Sequence, residues 1–166
     1  MTRSFHQIAC VGDMLAASLD SGTEPTALLI VSGGNEIRSG AHAGMAQLAS
    51  RVAEQGFPVL RYDRRGIGES TGENRDFLGS AEDIAAAVKF LRQQQSQVNR
   101  VVAFGNCDAA TALALFGPAA GIDGYILANP WAIETESAPD TQEPTISSAA
   151  IRARYWDRIR NPRSVI

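Results

Sequence analysis

The segment Phe104-Gly105-Asn106-Cys107-Asp108-Ala109 sets a thiol among small residues, directly after an apolar run and directly before an Ala/Leu-rich stretch. A strand that turns tightly into a helix at such a point lifts the central side chain above the sheet edge, and small neighbours let the turn pack closely. Cysteine stands here where serine is the usual residue, and Ala109 stands in place of a second glycine. A helix N-terminus behind the thiol favours thiolate, while the charge of Asp108 opposes it. The chemistry implied is nucleophilic attack on an acyl carbon by Cys107.

The negative oxygen formed in such an attack needs two N–H donors. One comes from the residue after the nucleophile, Asp108; the second comes from the loop after an earlier strand, here Gly34 or Asn35 following the apolar run Ala27 to Val31. The adjacent glycines of Ser32-Gly33-Gly34 allow a backbone to turn and present an amide to a ligand. Arg38 and His42 follow on the same loop and are read as substrate contacts, Arg38 by pairing an anionic group. Cys10 reads as a buried thiol acting as a small hydrophobe, and His6 as a strand-surface residue.

The elements that position these residues follow from periodicity. Short runs rich in Val, Ile and Leu alternate with amphipathic segments, the pattern of a mostly parallel sheet covered on both faces: an α/β chain, predicted as a three-layer α/β/α sandwich. The first 22 residues form one or two short strands ending at Asp20-Ser21-Gly22. Strands are expected at Ala27 to Val31, Pro58 to Tyr62, Val101 to Phe104 and Tyr125 to Ala128. Met45, Leu48, Ala49 and Val52 make the inward stripe of a helix from about residue 41 to Gln55, with Ser39 as its N-cap. Ile84, Val88 and Leu91 mark a second helix, and a third runs from the Cys107 turn to Phe116. Residues 1–131 are read as the core, and 132–166 as a linker leading into a cap region, with a short charged helix over 148–159.

Composition narrows the partners. The chain has 166 residues, 45% hydrophobic and 20% charged, enough for one globular domain. Fifteen Lys+Arg against eighteen Asp+Glu give a net charge of -3 with no dense basic run, so nucleic acid is not the expected partner. Two cysteines without Cys/His clustering exclude a disulfide framework and a structural zinc site. The N-terminus lacks the apolar core of a signal peptide or anchor, so no membrane association and a cytoplasmic location are expected. The acidic stretch Glu134, Glu136, Asp140 and Glu143 is read as solvated, and no metal or cofactor is called for.

The loop Asp63-Arg64-Arg65-Gly66-Ile67-Gly68-Glu69-Ser70, taken with the Gly105-Asn106-Cys107-Asp108-Ala109 turn, resembles the α/β-hydrolase superfamily over most of the chain. Within it, the chain is similar to the type 1 hydrolases associated with the exosortase A system, found beside bacterial exopolysaccharide and protein-sorting genes. Ser32-Gly33-Gly34, Arg38-Ser39-Gly40-Ala41-His42, Cys107-Asp108-Ala109 and Asn129-Pro130-Trp131 carry that likeness. The resemblance implies hydrolysis of a small-molecule ester or thioester. The pattern departs from the superfamily in one respect: an acid and then a histidine should follow the nucleophile, yet His6 and His42 both precede it. The sequence therefore reads as the N-terminal part of a longer hydrolase, lacking the last strands. An inert fragment that binds an acyl ligand or a partner protein is the alternative. The strand Tyr125 to Ala128 would then be an open edge for a homodimer partner or a completing chain. Asp63 is expected to bond nearby backbone and the following arginine.

Overall fold

The computed structural model describes residues 2–131. The expected helix over 148–159 and the linker and acidic stretch before it lie outside the described residues.

Within the described residues, β1 (Arg3–Cys10) and β2 (Asp13–Asp20) form an antiparallel hairpin closed by Val11 and Gly12, both at positive φ as a two-residue turn requires. Then come β3 (Thr26–Val31), α1 (Gly44–Glu54), β4 (Val59–Tyr62), α2 (Ala81–Gln94), β5 (Arg100–Asn106), α3 (Asp108–Phe116) and β6 (Gly124–Ala128). The six strands make one sheet in the order β1-β2-β4-β3-β5-β6. From β4 through β6 the pairings are parallel, and the hairpin joins β4 antiparallel. The expected α/β/α architecture is what the chain adopts.

β3 is buried on both faces, which is why Ala27 to Val31 is an unbroken apolar run; β4 is equally buried but carries Arg61, whose Nη1 donates to the Arg38 carbonyl oxygen at 2.8 Å. On one face Leu28, Ile30 and Val59 pack against Ala49 and Ala53 of α1. On the other, Leu29, Leu60, Val101 and Ala103 meet Ile84 and Leu91 of α2 and Leu113 of α3. Alanines on the buried sides of α1 and α3 let those helices lie close to the sheet. Register then fixes the functional edge: Val31 pairs with Tyr62 on one side and with Gly105 on the other. The loops after β3, β4 and β5 consequently leave the sheet at the same level, where ligands bind in open α/β folds.

One expectation is corrected. Ser39 does not cap α1: a 3-10 turn over Ala41–Ala43 intervenes, the helix starts at Gly44 behind a left-handed Ala43, and no side chain caps it. Ser39 contributes its carbonyl instead, accepting from the Ala46 amide at 3.1 Å. The apolar stripe from Met45 to Val52 is equally compatible with either starting point, so periodicity alone could not separate them.

Cys10 is buried, with its thiol 3.4 Å from Asp83 Oδ1. Asp83 in turn accepts from the Arg65 amide at 3.0 Å and from Arg65 Nε at 2.5 Å. Burial, reinforced by the Asp83 charge, pushes the Cys10 thiol up to about 11. A folded-state value above the unfolded value of 9.0 means the native state holds this proton more tightly. Its stabilising contribution is complete below pH 9 and is lost as pH rises toward 11. Urea denaturation followed between pH 8 and 11 should therefore show a steeper loss of stability for the native sequence than for Cys10→Ala; parallel curves would remove this coupling.

Candidate active site

β5 ends at Asn106 and α3 begins at Asp108, leaving Cys107 to make the whole turn at φ 58° and ψ −129°. This is a region that side-chain-bearing residues rarely occupy, at a cost of about 1–3 kcal/mol, and the surroundings must hold it. The Cys107 amide donates to the Ala128 carbonyl at 3.0 Å, and the Cys107 carbonyl accepts from the Ala110 amide at 3.1 Å and the Trp131 amide at 3.3 Å. Gly105 allows α3 to approach: a Cβ there would lie 2.8 Å from Leu113 Cδ1 and 2.9 Å from the Ala109 carbonyl carbon. Ala109, at the position of the missing second glycine, is fully buried. The Cys107 side chain itself is half-buried.

The β3 loop comes up against this turn. A Cβ on Gly33 would sit 2.5 Å from the Asn106 carbonyl oxygen and 2.8 Å from Asp108 Oδ1, so only glycine fits between the loop and the elbow. The Gly34 amide donates to Asp108 Oδ1 at 2.6 Å. Asp108 Oδ2 lies 3.3 Å from Arg64 Nη2, and that same nitrogen bonds the Gly34 carbonyl oxygen. Asp108 and Arg64 are both buried. Asn35 is exposed, and its side-chain oxygen accepts from Asn74 Nδ2 at 3.1 Å. The structure thus brings Cys107, Asp108 and Gly34 together, with Arg64 added. Arg64 was missed by sequence reasoning because it fills the variable position of the Asp-x-Arg-Gly loop; the signal was an arginine and an aspartate standing just beyond two strand ends that Val31 holds level.

The other expected residues are placed differently. Arg38 donates through Nε to Ser18 Oγ at 3.1 Å and pairs through its two terminal nitrogens with Asp63 and Glu69. The expectation that it receives a substrate anion therefore meets a guanidinium with every nitrogen engaged. Asp63 bonds the backbone amides of Arg38 and Glu69, as expected of it, but its arginine is Arg38 and not the one that follows it. His42 is exposed on the 3-10 turn in a left-handed conformation, and its ring bonds nothing among the described residues. His6 accepts or donates at 2.7 Å to Ser4 Oγ and packs on Phe90, far along the chain from the elbow. Among the described residues no group of three His, Cys, Asp or Glu side chains is arranged to hold a metal ion.

A potential nucleophile on a strained strand-to-helix turn, at the C-terminal edge of a mostly parallel sheet and beside a glycine loop, defines an α/β hydrolase. Residues 23–164 match the serine aminopeptidase S33 family, and the chain belongs to that family. No curated protein matches it. Among solved structures it is similar to the alpha/beta hydrolase GrgF from Penicillium sp. sh18, at 25% identity and a TM-score of 0.67 over 78% of this chain and 46% of that one. It is also similar to the esterase Pf2001 of Pyrococcus furiosus, at 21% identity and a TM-score of 0.67 over 78% of this chain and 49% of that one. A serine hydrolase without lid from Xanthomonas campestris aligns at 18% identity and a TM-score of 0.62 over 76% of this chain and 61% of that one. The chain spans about half the length of the first two. No helix among the described residues is long and apolar enough to cross a membrane.

The strain at Cys107 has a measurable consequence. Cys107→Gly should be more stable than Cys107→Ala by about 1 kcal/mol, because glycine reaches φ 58° without a Cβ penalty whereas alanine keeps it. Urea midpoints for the two variants check this; an alanine variant equal to or above the glycine variant would show an unstrained turn.

Proposed function

We propose that Cys107 is the nucleophile of an ester or thioester hydrolase site. The observation that supports this reading is the Cys107 turn itself, held at a costly φ by three backbone hydrogen bonds with its side chain partly open to solvent. A residue that merely filled space would gain nothing from that conformation. In the reaction, the thiolate attacks the acyl carbon, a C–S bond forms, and the carbonyl electron pair moves to oxygen. The Asp108 amide and a second amide from the Gly34-Asn35 loop stabilise that oxygen. Collapse of the intermediate breaks the bond to the leaving oxygen or sulfur, which departs as an anion and takes a proton from water; the acyl-cysteine left behind is then cleaved by water with the help of a proton acceptor.

No imidazole contacts Cys107 among the described residues, so acylation is expected to outrun deacylation. The exposed His42 ring is read as a substrate contact. The substrate is a small ester or thioester, the site works without a metal or cofactor, and the protein acts in the cytoplasm. The motifs at Ser32-Gly33-Gly34, Cys107-Asp108-Ala109 and Asn129-Pro130-Trp131 support membership of the exosortase A-associated type 1 hydrolases. Genes for exosortase and exopolysaccharide synthesis beside its own would accord with that assignment, and their absence from related genomes would oppose it.

A second reading, an inert domain that binds an acyl ligand, draws on the occupation of the Gly34 amide by Asp108. The two readings separate in one assay. With p-nitrophenyl acetate, the enzyme reading predicts a burst of at least one equivalent of p-nitrophenol followed by slow turnover, lost in Cys107→Ala. No burst, or a burst that survives the substitution, assigns the chain to the binding reading.

A further inference from the structure

Asp108 belongs to two arrangements at once. Its Oδ1 holds the Gly34 amide at a short 2.6 Å, while its Oδ2 stands 3.3 Å from Arg64 Nη2. Charge-assisted N–H···O bonds normally close to about 2.7–2.9 Å, so the ion pair is stretched in favour of the amide. The other terminal nitrogen of Arg64, Nη1, is buried and bonds nothing among the described residues, in a side chain only 5% exposed. An unsatisfied buried donor is costly, and guanidinium presents its two terminal nitrogens as a planar fork matched to a carboxylate. Beside a stretched carboxylate, the orphan nitrogen is a vacant seat.

We infer that the Asp108 carboxylate is a latch on the oxyanion site: it occupies the Gly34 amide at rest, and it swings onto both terminal nitrogens of Arg64 when a substrate oxygen takes its place. This rests on the reading of Cys107 as nucleophile. Each arrangement leaves one donor free, Nη1 of Arg64 in the first and the Gly34 amide in the second. Gly34 is exposed, so water takes the freed amide at rest, and the developing oxyanion takes it more strongly; the second arrangement is therefore favoured by the transition state more than by the resting enzyme. The inference also separates Gly34 from Asn35, making Gly34 the second donor. Asp108 thereby acts twice, through its amide as a donor and through its side chain as a positioning group.

The test combines single-turnover acylation of Cys107 by p-nitrophenyl acetate with the amide proton resonance of Gly34. Asp108→Ala removes the competitor and should speed acylation by about tenfold, a fraction of the ~10²–10³ that one oxyanion donor typically contributes. Arg64→Met removes the seat, leaves the carboxylate on Gly34 and should slow acylation by a similar factor, while the double variant should follow Asp108→Ala. The Gly34 amide proton should move upfield in Asp108→Ala. Asp108→Asn, which keeps the shape of the side chain and weakens its hold, should give an intermediate gain and covers any loss of folding in the alanine variant. A wild-type burst that Asp108→Ala and Asp108→Asn both slow, or a Gly34 resonance that does not move, overturns the latch and leaves the nucleophile standing. Absence of Cys107-dependent acylation in every variant overturns both.

Discussion

The pairing of Val31 with Tyr62 on one side and Gly105 on the other is the constraint from which the site follows. Because side chains alternate along a strand, a shift of one residue would turn the apolar sets of β3, β4 or β5 away from their helices, so burial enforces the register. With the register set, Ser32, Asp63 and Asn106 each stand one residue past the level of Val31, Tyr62 and Gly105. The glycine loop, the arginine loop and the Cys107 turn have no choice but to meet there. The Cys107 backbone is strained because α3 must begin only one residue after β5 ends to bring Ala109, Ala112 and Leu113 into the core. Backbone strain at Cys107 is thus balanced by packing several residues away.

Most of this was legible in the sequence, because it follows from periodicity and small residues. The apolar runs located the central strands to within two residues, and the Gly105-Asn106-Cys107 string located the turn. What escaped was polar and long-range. No local pattern announces that Arg38 is engaged by Ser18, Asp63 and Glu69, since those partners lie between 20 and 31 residues away. The start of α1 escaped for a related reason: the left-handed Ala43 has none of the glycine, asparagine, aspartate or histidine signature that usually marks such a conformation. The expected roles of Arg38 and His42 were inferred from their place on the loop, and place on a loop does not say which partner a charged side chain has already found.

Membership of the S33 family explains the scaffold but not the chemistry at the elbow. The structures it resembles share the sheet, and at these identities the sheet is what the likeness establishes. A thiol in place of a hydroxyl changes the demands on the site. A thiol ionises far more readily than a serine hydroxyl, so acylation depends less on a paired base, whereas cleavage of the acyl-cysteine by water still requires one. Under the proposed reading of Cys107, the two half-reactions are therefore unequally served by the residues described.

The charged residues at the strand ends form a single scheme. Asp63, Arg64 and Arg65 are consecutive, buried and directed to three different elements: Asp63 to Arg38 on the β3 loop, Arg64 to Asp108 at the elbow, and Arg65 to Asp83 in the first turn of α2. Removing one partner from such a buried pair leaves an uncompensated charge, at about 3–5 kcal/mol. The triplet thus ties β4 to both walls of the site and to the helix behind it. Two of its three pairs are close, and their carboxylates also take up neighbouring backbone amides. The Arg64–Asp108 pair differs in being long and in carrying the orphaned Arg64 nitrogen. Of the three pairs, the long one is the one whose carboxylate also holds the Gly34 amide beside the proposed nucleophile.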